Sequence, residues 1–473
     1  MGGVTKDEQI EMLQRTIIEL RQIIVEQQRI IQDLMERLGM NSSNSSKPPS
    51  SDGLKKPSPK SLRSPSGKKP GGQTGHPGTH LFTDREPDEI VRHMPSACLD
   101  CPSHDVCMGL ARVGETRQVI DAVVTVRVTA HESLVVECPL NGARQRGAFP
   151  EELKASVQYG ENLQALAVAM NTVGAVSVNR THEILSGVFG IPLSTGTISA
   201  MVGSCADQVT EVVERIRQKL TVSGLIHHDE TGTRVDGKTF WVHNASNVAY
   251  THLSISTKRG QEGMDAGGVL PEFEGIAVHD CWAPYWKYPR VTHALCCAHL
   301  LRELVGVEEN HPEQGWATDF KRLLLEMKEA KEQEIELGND HLSDEQLQAF
   351  DQRYDEILGL GYTENPLSEV TGKRLGRRKK GKTLALLERL DTHKASVCLF
   401  VHNFAVPFDN NQAERDLRMI KTKSKVSGCF RSTDGARDYL KIMSYVGSAK
   451  KQGVCAYEAI RQAVLGTPET CFC

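Results

Sequence analysis

The stretch LIHHDETGTRVDGKTFWVH, residues 225–243, decides how this chain is read. Leu225 and Ile226 lead as an apolar run into His227, His228 and Asp229, which puts a carboxylate at the end of a strand. Phe240-Trp241-Val242 follows as a neighbouring strand, and Leu253-Ser254-Ile255 as another. Residues 275–280, GIAVHD, form a further short apolar run that also ends in a carboxylate, Asp280. Leu295 to Leu304 then has helical spacing. From residue 221 onward the pattern is α/β.

A third acidic motif lies downstream in FDNNQAERDLRMIK, residues 408–421, where Asp409-Asn410-Asn411 opens a helix that carries Glu414. Two carboxylates at strand ends and one on a helix can meet at one edge of a sheet. Such a set, with no obligatory His or Cys, suits a hard oxygen-seeking cation such as Mg²⁺ or Mn²⁺. Two such ions about 3.5–4 Å apart clamp the attacking and leaving oxygens of a phosphodiester. Each acid also has a plain structural reading. Asp229 and Glu230 can simply end a strand, with Glu230 or Asp236 as the ligand instead. Asp280 can cap a turn, and Asn411-x-x-Glu414 fits a capping box. Cations crowd the third acid: Arg415, Arg418, Lys421, Lys423, Lys425 and Arg431 would neutralise phosphates there.

Between the second and third motifs, residues 305–395 are charged and mostly helical. The acidic part, about 305–370, reads as a solvated helical insert. It changes sign at KRLGRRKKGK, residues 373–382, whose Lys379 and Lys380 make a phosphate-contacting loop without interleaved aromatics. Upstream, residues 155–220 read as helices. One runs from Val178 to Phe189 and breaks at Gly190-Ile191-Pro192. The next is capped by Ser194 or Thr195 and holds Ile198, Met201 and Val202. That spacing is compatible with a helix-turn-helix or with an ordinary helical hairpin.

Residues 86–150 look like a small β module in which Val124, Val126 and Val128 alternate with polar residues. Cys98-x-x-Cys101 precedes that strand, and Cys107 and Cys138 complete a candidate zinc set in which His104 competes for a place. A zinc ribbon brings two Cys-x-x-Cys knuckles together, whereas here the second reads Cys138-Pro139-Leu140-Asn141. Residues 41–80 are rich in Pro, Gly, Ser and Lys and cannot offset their chain entropy by burial, so they read as a disordered basic linker. At the start, Ile10, Ile17, Ile24, Ile31 and Leu38 are spaced by sevens, with Leu13, Leu20, Gln27 and Leu34 three residues after the first four. This a/d seam predicts a parallel two-stranded coil, hence a homodimer through residues 8–38.

The 473 residues, 39% hydrophobic and 25% charged, suit a soluble chain of about three domains. A net charge of −4 excludes a uniformly basic nucleic-acid binder but not local basic patches. No run reaches the ~18 apolar residues of a membrane span, and MGGVTKDEQIEM lacks a signal-peptide layout. Thirteen cysteines, an odd number, read as reduced thiols and point to the cytoplasm.

The motifs HHDETGTRVDGKTFWVH, VHDCWAPYW, HALCCAHLLREL and DNNQAERDLR, with the N-terminal zipper and the NSSNSSKPPSSD and GGQTGHPG segments, resemble those of DDE transposases of the insertion-sequence 66 family over nearly the whole chain. The resemblance implies that Asp229, Asp280 and Glu414 form the DDE triad of an RNase H-like domain interrupted by a helical insertion. Cys296 and His299 match the family's Cys-x-x-His element and take a structural or substrate-strand role, with Asn410 and Asn411 in support.

The implied activity is Mg²⁺-dependent cleavage at the ends of a mobile element followed by strand transfer into target DNA. The implied setting is a prokaryotic cytoplasm, with nucleoid association when bound to DNA and accessory proteins from the same element. A nuclease that cuts without joining, or a non-catalytic DNA-binding regulator, are the alternatives. Two features depart from many relatives: KTKSKVSGCFRS follows the third motif in place of a Gly-Arg-Lys-Asn-aromatic run, and the ribbon's second knuckle is incomplete.

The expected architecture is a multidomain α/β chain. It comprises a coiled coil (1–40), a basic linker (41–85), a zinc-ribbon-like module (86–150) and a helix-turn-helix-like DNA-binding region (151–220). The catalytic core follows in two parts (221–304 and 396–473), separated by the helical insertion (305–395).

Overall fold

The structure, a computed structural model, describes residues 6–41, 43–45, 86–121, 124–366 and 381–472. The chain divides into two compact units, residues 60–148 and the remainder.

At the centre of the larger unit is a five-stranded sheet in the order β5-β4-β3-β6-β7. Its strands are β3 (Leu225–Val235), β4 (Lys238–Ser246), β5 (Thr251–Ser256), β6 (Ile276–His279) and β7 (Thr292–Leu295). The first three form an antiparallel meander, and β6 and β7 run parallel to β3. The β3–β4 hairpin turns on Asp236-Gly237, both at positive φ (48° and 72°), as a two-residue hairpin with the twist of its strands requires. The Asp-Gly pair was a legible signal for that hairpin.

The hairpin also corrects one expectation. Asp229 does not end its strand: β3 runs on to Val235 because β4 keeps pairing with it. What ends near Asp229 is the parallel neighbour, since β3 pairs with β6 only through His227.

Alternate residues of the sheet bury into different cores, as expected for strands covered on both faces. Ile226, Ala245 and Ala277 join the core built from α3 (Glu161–Asn171), α4 (Val178–Phe189), α5 (Thr195–Gln208), α6 (Thr210–Thr221), α7 (Gln261–Gly267), α14 (Thr433–Lys451) and α15 (Ala456–Val464). The helices of 151–220 thus share one core with the C-terminal helices and do not bury a core of their own. The α4–α5 connection follows its local signals: Gly190 adopts the left-handed cap (φ 65°), and the Ser194 hydroxyl accepts the Thr197 N–H.

Val278, Ala294 and Leu295 join the second core, with α8 (Cys297–Asn310), α9 (Trp316–Glu336), α10 (Asp344–Glu364), α11 (Lys382–Thr392) and α12 (Lys394–His402). The segment expected to be a solvated insert therefore carries a buried interior around Trp316, Phe320, Tyr354 and Leu387. Its acidic surface residues dominate the composition, while the helical stripe of large apolar residues packs inward. A third core joins α13 (Asn411–Ser427) and α14 to the antiparallel strands through Val235, Leu253, Leu417, Ile420 and Tyr439.

The helix α1 (Lys6–Gly39) is continuous over 34 residues. Residues 43–45, assigned above to the linker, are packed: Asn44 and Ser45 are buried, and Asn44 Nδ2 donates to Glu309 Oε2 (2.7 Å). The Asn44 carbonyl lies against Gly306, where any Cβ would collide. The rest of the expected linker, residues 46–85, lies outside the described residues.

The smaller unit contains α2 (His104–Leu110) and a two-stranded ribbon of β1 (Val135–Glu137) and β2 (Arg144–Arg146). The strand expected at 124–129 is absent: Val124, Val126 and Val128 are exposed and outside any strand. A ribbon of three-residue strands offers no second face to cover them. No described residue between 86 and 148 is buried.

Candidate active site

The end of β6 and the first turn of α13 meet beside the middle of β3. Asp280 directly follows His279, the last residue of β6, and Asp229 lies two residues past the end of the β3–β6 pairing. The backbone then turns sharply: Cys281 takes a left-handed conformation (φ 70°), its N–H donates to His279 Nδ1 (3.1 Å), and the Trp282 N–H donates to Asp280 Oδ1 (3.0 Å).

Asn410, the cap of α13, brings the third segment in. Its amide Nδ2 donates to the His228 carbonyl (2.9 Å), Oδ1 bonds His227 Nδ1 (2.8 Å), and its backbone N–H donates to Cys296 Sγ (3.2 Å). The amide occupies the edge of β3 where β6 has run out, and it pins the helix bearing Glu414 to the strand bearing Asp229. Asn411 donates instead to Asp409. No side chain caps α13, so Glu414 takes no part in a capping box. Its carboxylate faces Arg302 (3.5 Å) and His299 (3.8 Å).

Asp229 is raised well above the ordinary carboxylate range. Burial is the main cause, followed by the negative fields of Glu230, Asp280 and, more weakly, Glu414, against the Glu230 N–H that its Oδ1 accepts. Asp280 is raised too, mainly by burial, against the Trp282 N–H and the Arg259 charge. Glu230 is pushed up to about 6 by burial and by Asp280, although Arg259 and Tyr285 hold its charged form. Asp236, the alternative ligand in the hairpin turn, is exposed. Among the described residues no three His, Cys, Asp or Glu side chains are gathered closely enough to hold a metal ion. The acids share an electrostatic field but do not yet share a coordination sphere.

Cys296 and His299 are neutral parts of the frame. Burial pushes the Cys296 thiol up to about 12, and the sulfur receives the Asn410 N–H. Burial, with the Arg302 and Arg389 cations, pushes His299 down to about 3.

The basic residues divide. Arg415, Arg418, Lys421 and Lys425 lie exposed along α13, and Arg431 is exposed beyond it. Lys423 is a correction: it is buried, and its ammonium donates to the carbonyls of Asn171 (2.7 Å) and Val176 (3.4 Å). Its position on the helix turns it towards α14 and the end of α3, away from solvent. Lys379 and Lys380 lie outside the described residues.

The zinc set is likewise not assembled. Cys98, Cys101, Cys107 and Cys138 are free and part-exposed, they belong to no metal-binding group, and His104 Nδ1 is engaged by the Cys98 carbonyl (2.8 Å). With one knuckle incomplete, the Cys138 turn closes through backbone bonds to Gly142 and Ala143.

Sequence reasoning missed Tyr285, Arg259 and Trp282. The Tyr285 hydroxyl donates to Glu230 Oε2 (2.9 Å), and its ring stacks on His279 (4.2 Å). The aromatic run WAPYW after Asp280 was the signal for two of them; nothing in the sequence marked Arg259.

A family model described as Transposase IS66 family matches residues 156–438, more than half of the chain and all three acidic motifs. A second, described as a family of unknown function (DUF6444), matches residues 5–81. No curated protein matches the chain.

Proposed function

Because the chain belongs to the transposase IS66 family, we propose that it cuts the ends of a mobile element and joins them to target DNA at Asp229, Asp280 and Glu414. One observation carries the reading. Asp229 and Asp280, 51 residues apart in sequence, lie on or just beyond adjacent parallel strands, and Asn410 ties the helix that carries Glu414 to the strand of Asp229. Asp229 and Asp280 are buried, and burial raises both carboxyls, so a cation that takes up their charge is favoured there.

The donor set suits a hard divalent ion, Mg²⁺ or Mn²⁺, because it offers oxygen alone; of the two arginines near it, Arg259 is committed to Glu230 and Arg302 stands 3.5 Å from Glu414. Asp229 and Asp280 would hold the metal, with Glu414 completing the set after leaving Arg302. Held there, such an ion would supply the positive charge that makes a water or 3′-hydroxyl a better nucleophile and eases the loss of the departing oxygen. The strand order, an antiparallel meander on one side of β3 and two parallel strands on the other, supports an RNase H-like domain.

The exposed cations of α13 would hold the phosphates beside the cut, and the α4–α5 pair would contribute to end binding. The self-association through 8–38 rests on the bare seam of α1, where Ile17 and Ile24 remain 49% and 51% exposed. Pairing two chains would bring two element ends together.

The test is a strand-transfer assay with labelled element ends and Mg²⁺ or Mn²⁺, comparing wild type with Asp229→Asn and Glu414→Gln. Joined products from wild type alone are expected, with end binding retained in both variants. Normal cutting by Asp229→Asn refutes the metal assignment; nicks without joining refute transfer.

A further inference from the structure

Arg259 lies beyond β5, outside every motif that pointed to the site, yet its side chain reaches into the frame around Asp280. Its Nε and Nη2 both donate to Glu230 Oε1 (3.0 and 2.8 Å). The Glu230 side chain is only 1% exposed, and Tyr285 donates to its other oxygen, so the carboxylate is fully engaged. That pairing fixes the plane of the guanidinium, which lies over the Trp282 ring (4.1 Å) and near the Trp241 ring (4.9 Å).

Trp282 is the residue whose backbone N–H holds Asp280 Oδ1. The turn between them passes through Cys281 at φ 70°, a conformation that a non-glycine residue adopts only at a cost. Such a turn persists only when its surroundings hold it. One side is held by the Cys281 N–H to His279. The other side is held by the Trp282 indole, pressed under the guanidinium that Glu230 anchors to β3.

We propose that Arg259 is a positioning residue for the divalent-cation site: bracketed by Glu230 on β3, it stacks on Trp282 and so fixes the turn that presents the Asp280 carboxylate. The inference rests on the metal-site reading above and adds to it a residue that need not touch metal or DNA. The bracket works through a planar, two-point contact. Lysine keeps the charge but loses both the fork and the stack.

The experiment measures Mn²⁺ binding to the full-length protein by electron paramagnetic resonance, independently of any DNA reaction. Arg259→Lys is expected to weaken Mn²⁺ binding at least tenfold. Trp282→Leu is expected to do the same, while Trp282→Phe, which keeps an aromatic face under the guanidinium, stays within threefold of wild type. Thermal melting of each variant checks that folding is intact, and Trp282→Phe guards against reading general damage as a positioning effect. Wild-type affinity in Arg259→Lys overturns the proposal, as does equal weakening by Trp282→Phe and Trp282→Leu. An Asp280→Asn variant that binds Mn²⁺ as tightly as wild type removes the cation-site reading itself, and the bracket's role with it.

Discussion

Replacing Asn410 by alanine removes the amide that ties the first turn of the Glu414 helix to the central strand. Asn410 is 1% exposed, and its side chain serves two buried partners, the His228 carbonyl and His227 Nδ1. Each partner left dry costs about 1–3 kcal/mol. The alanine leaves room for partial rehydration, so the sum is about 2–4 kcal/mol. In a body of this size that lowers the melting temperature by roughly 2–4 °C per kcal/mol.

The same change should loosen the first turn of α13, where Glu414 lies one turn beyond Asn410. Metal-dependent cleavage should therefore fall by more than the loss of folded protein explains. The assay is scanning fluorimetry of wild type and Asn410→Ala, with strand cleavage measured well below both melting temperatures. An alanine variant that melts within 1 °C of wild type and cuts at the wild-type rate would refute the view that this amide is the joint.

Other outcomes are as definite. Arg418→Ala should reduce the salt dependence of DNA binding by about one ion, whereas Lys423→Met should leave the slope unchanged because its ammonium is committed to two carbonyls. Equal slopes for the two variants would contradict the partition of the basic residues. Burial pushes His252 down to about 4, with the Arg217 cation adding to it. Because its folded pKa lies below the unfolded value, the stability it contributes is complete above about pH 6.5 and is lost as pH falls towards 4. By pH 4.5 the loss is about 2–3 kcal/mol. His252→Gln should therefore lose less melting temperature than wild type between pH 7 and pH 4.5, and parallel losses would discount the histidine. Ile17→Asp together with Ile24→Asp should shift the full chain to monomer in sedimentation equilibrium without lowering the melting temperature of the main body. A dimer that survives would place self-association elsewhere.

Features set by a few neighbouring residues were legible in the sequence. The helix break at Gly190 and the restart after Ser194 depend on a left-handed cap and a hydroxyl acceptor, both local. The apolar runs 225–226 and 275–278 mark β3 and β6 because a strand buried on both faces needs apolar residues. The three acidic motifs stood out in the sequence, and so did the heptad of α1.

What the tertiary structure decided concerns polar residues whose partners arrive from far along the chain. Lys423 sits among exposed cations on its own helix, and only the arrival of α3 makes it an interior group. Glu230 and Asp229 are adjacent acids on one strand; alternation turns them to opposite faces, but only the arrival of Arg259 and Tyr285 engages the first and leaves the second in the field of Asp280 and Glu414. Val124, Val126 and Val128 show the converse, since alternation describes a strand only where a neighbouring strand exists to pair with it. Apolar periodicity and capping are written within a turn or two of chain. The burial and charge state of a polar side chain depend on the whole of what folds around it.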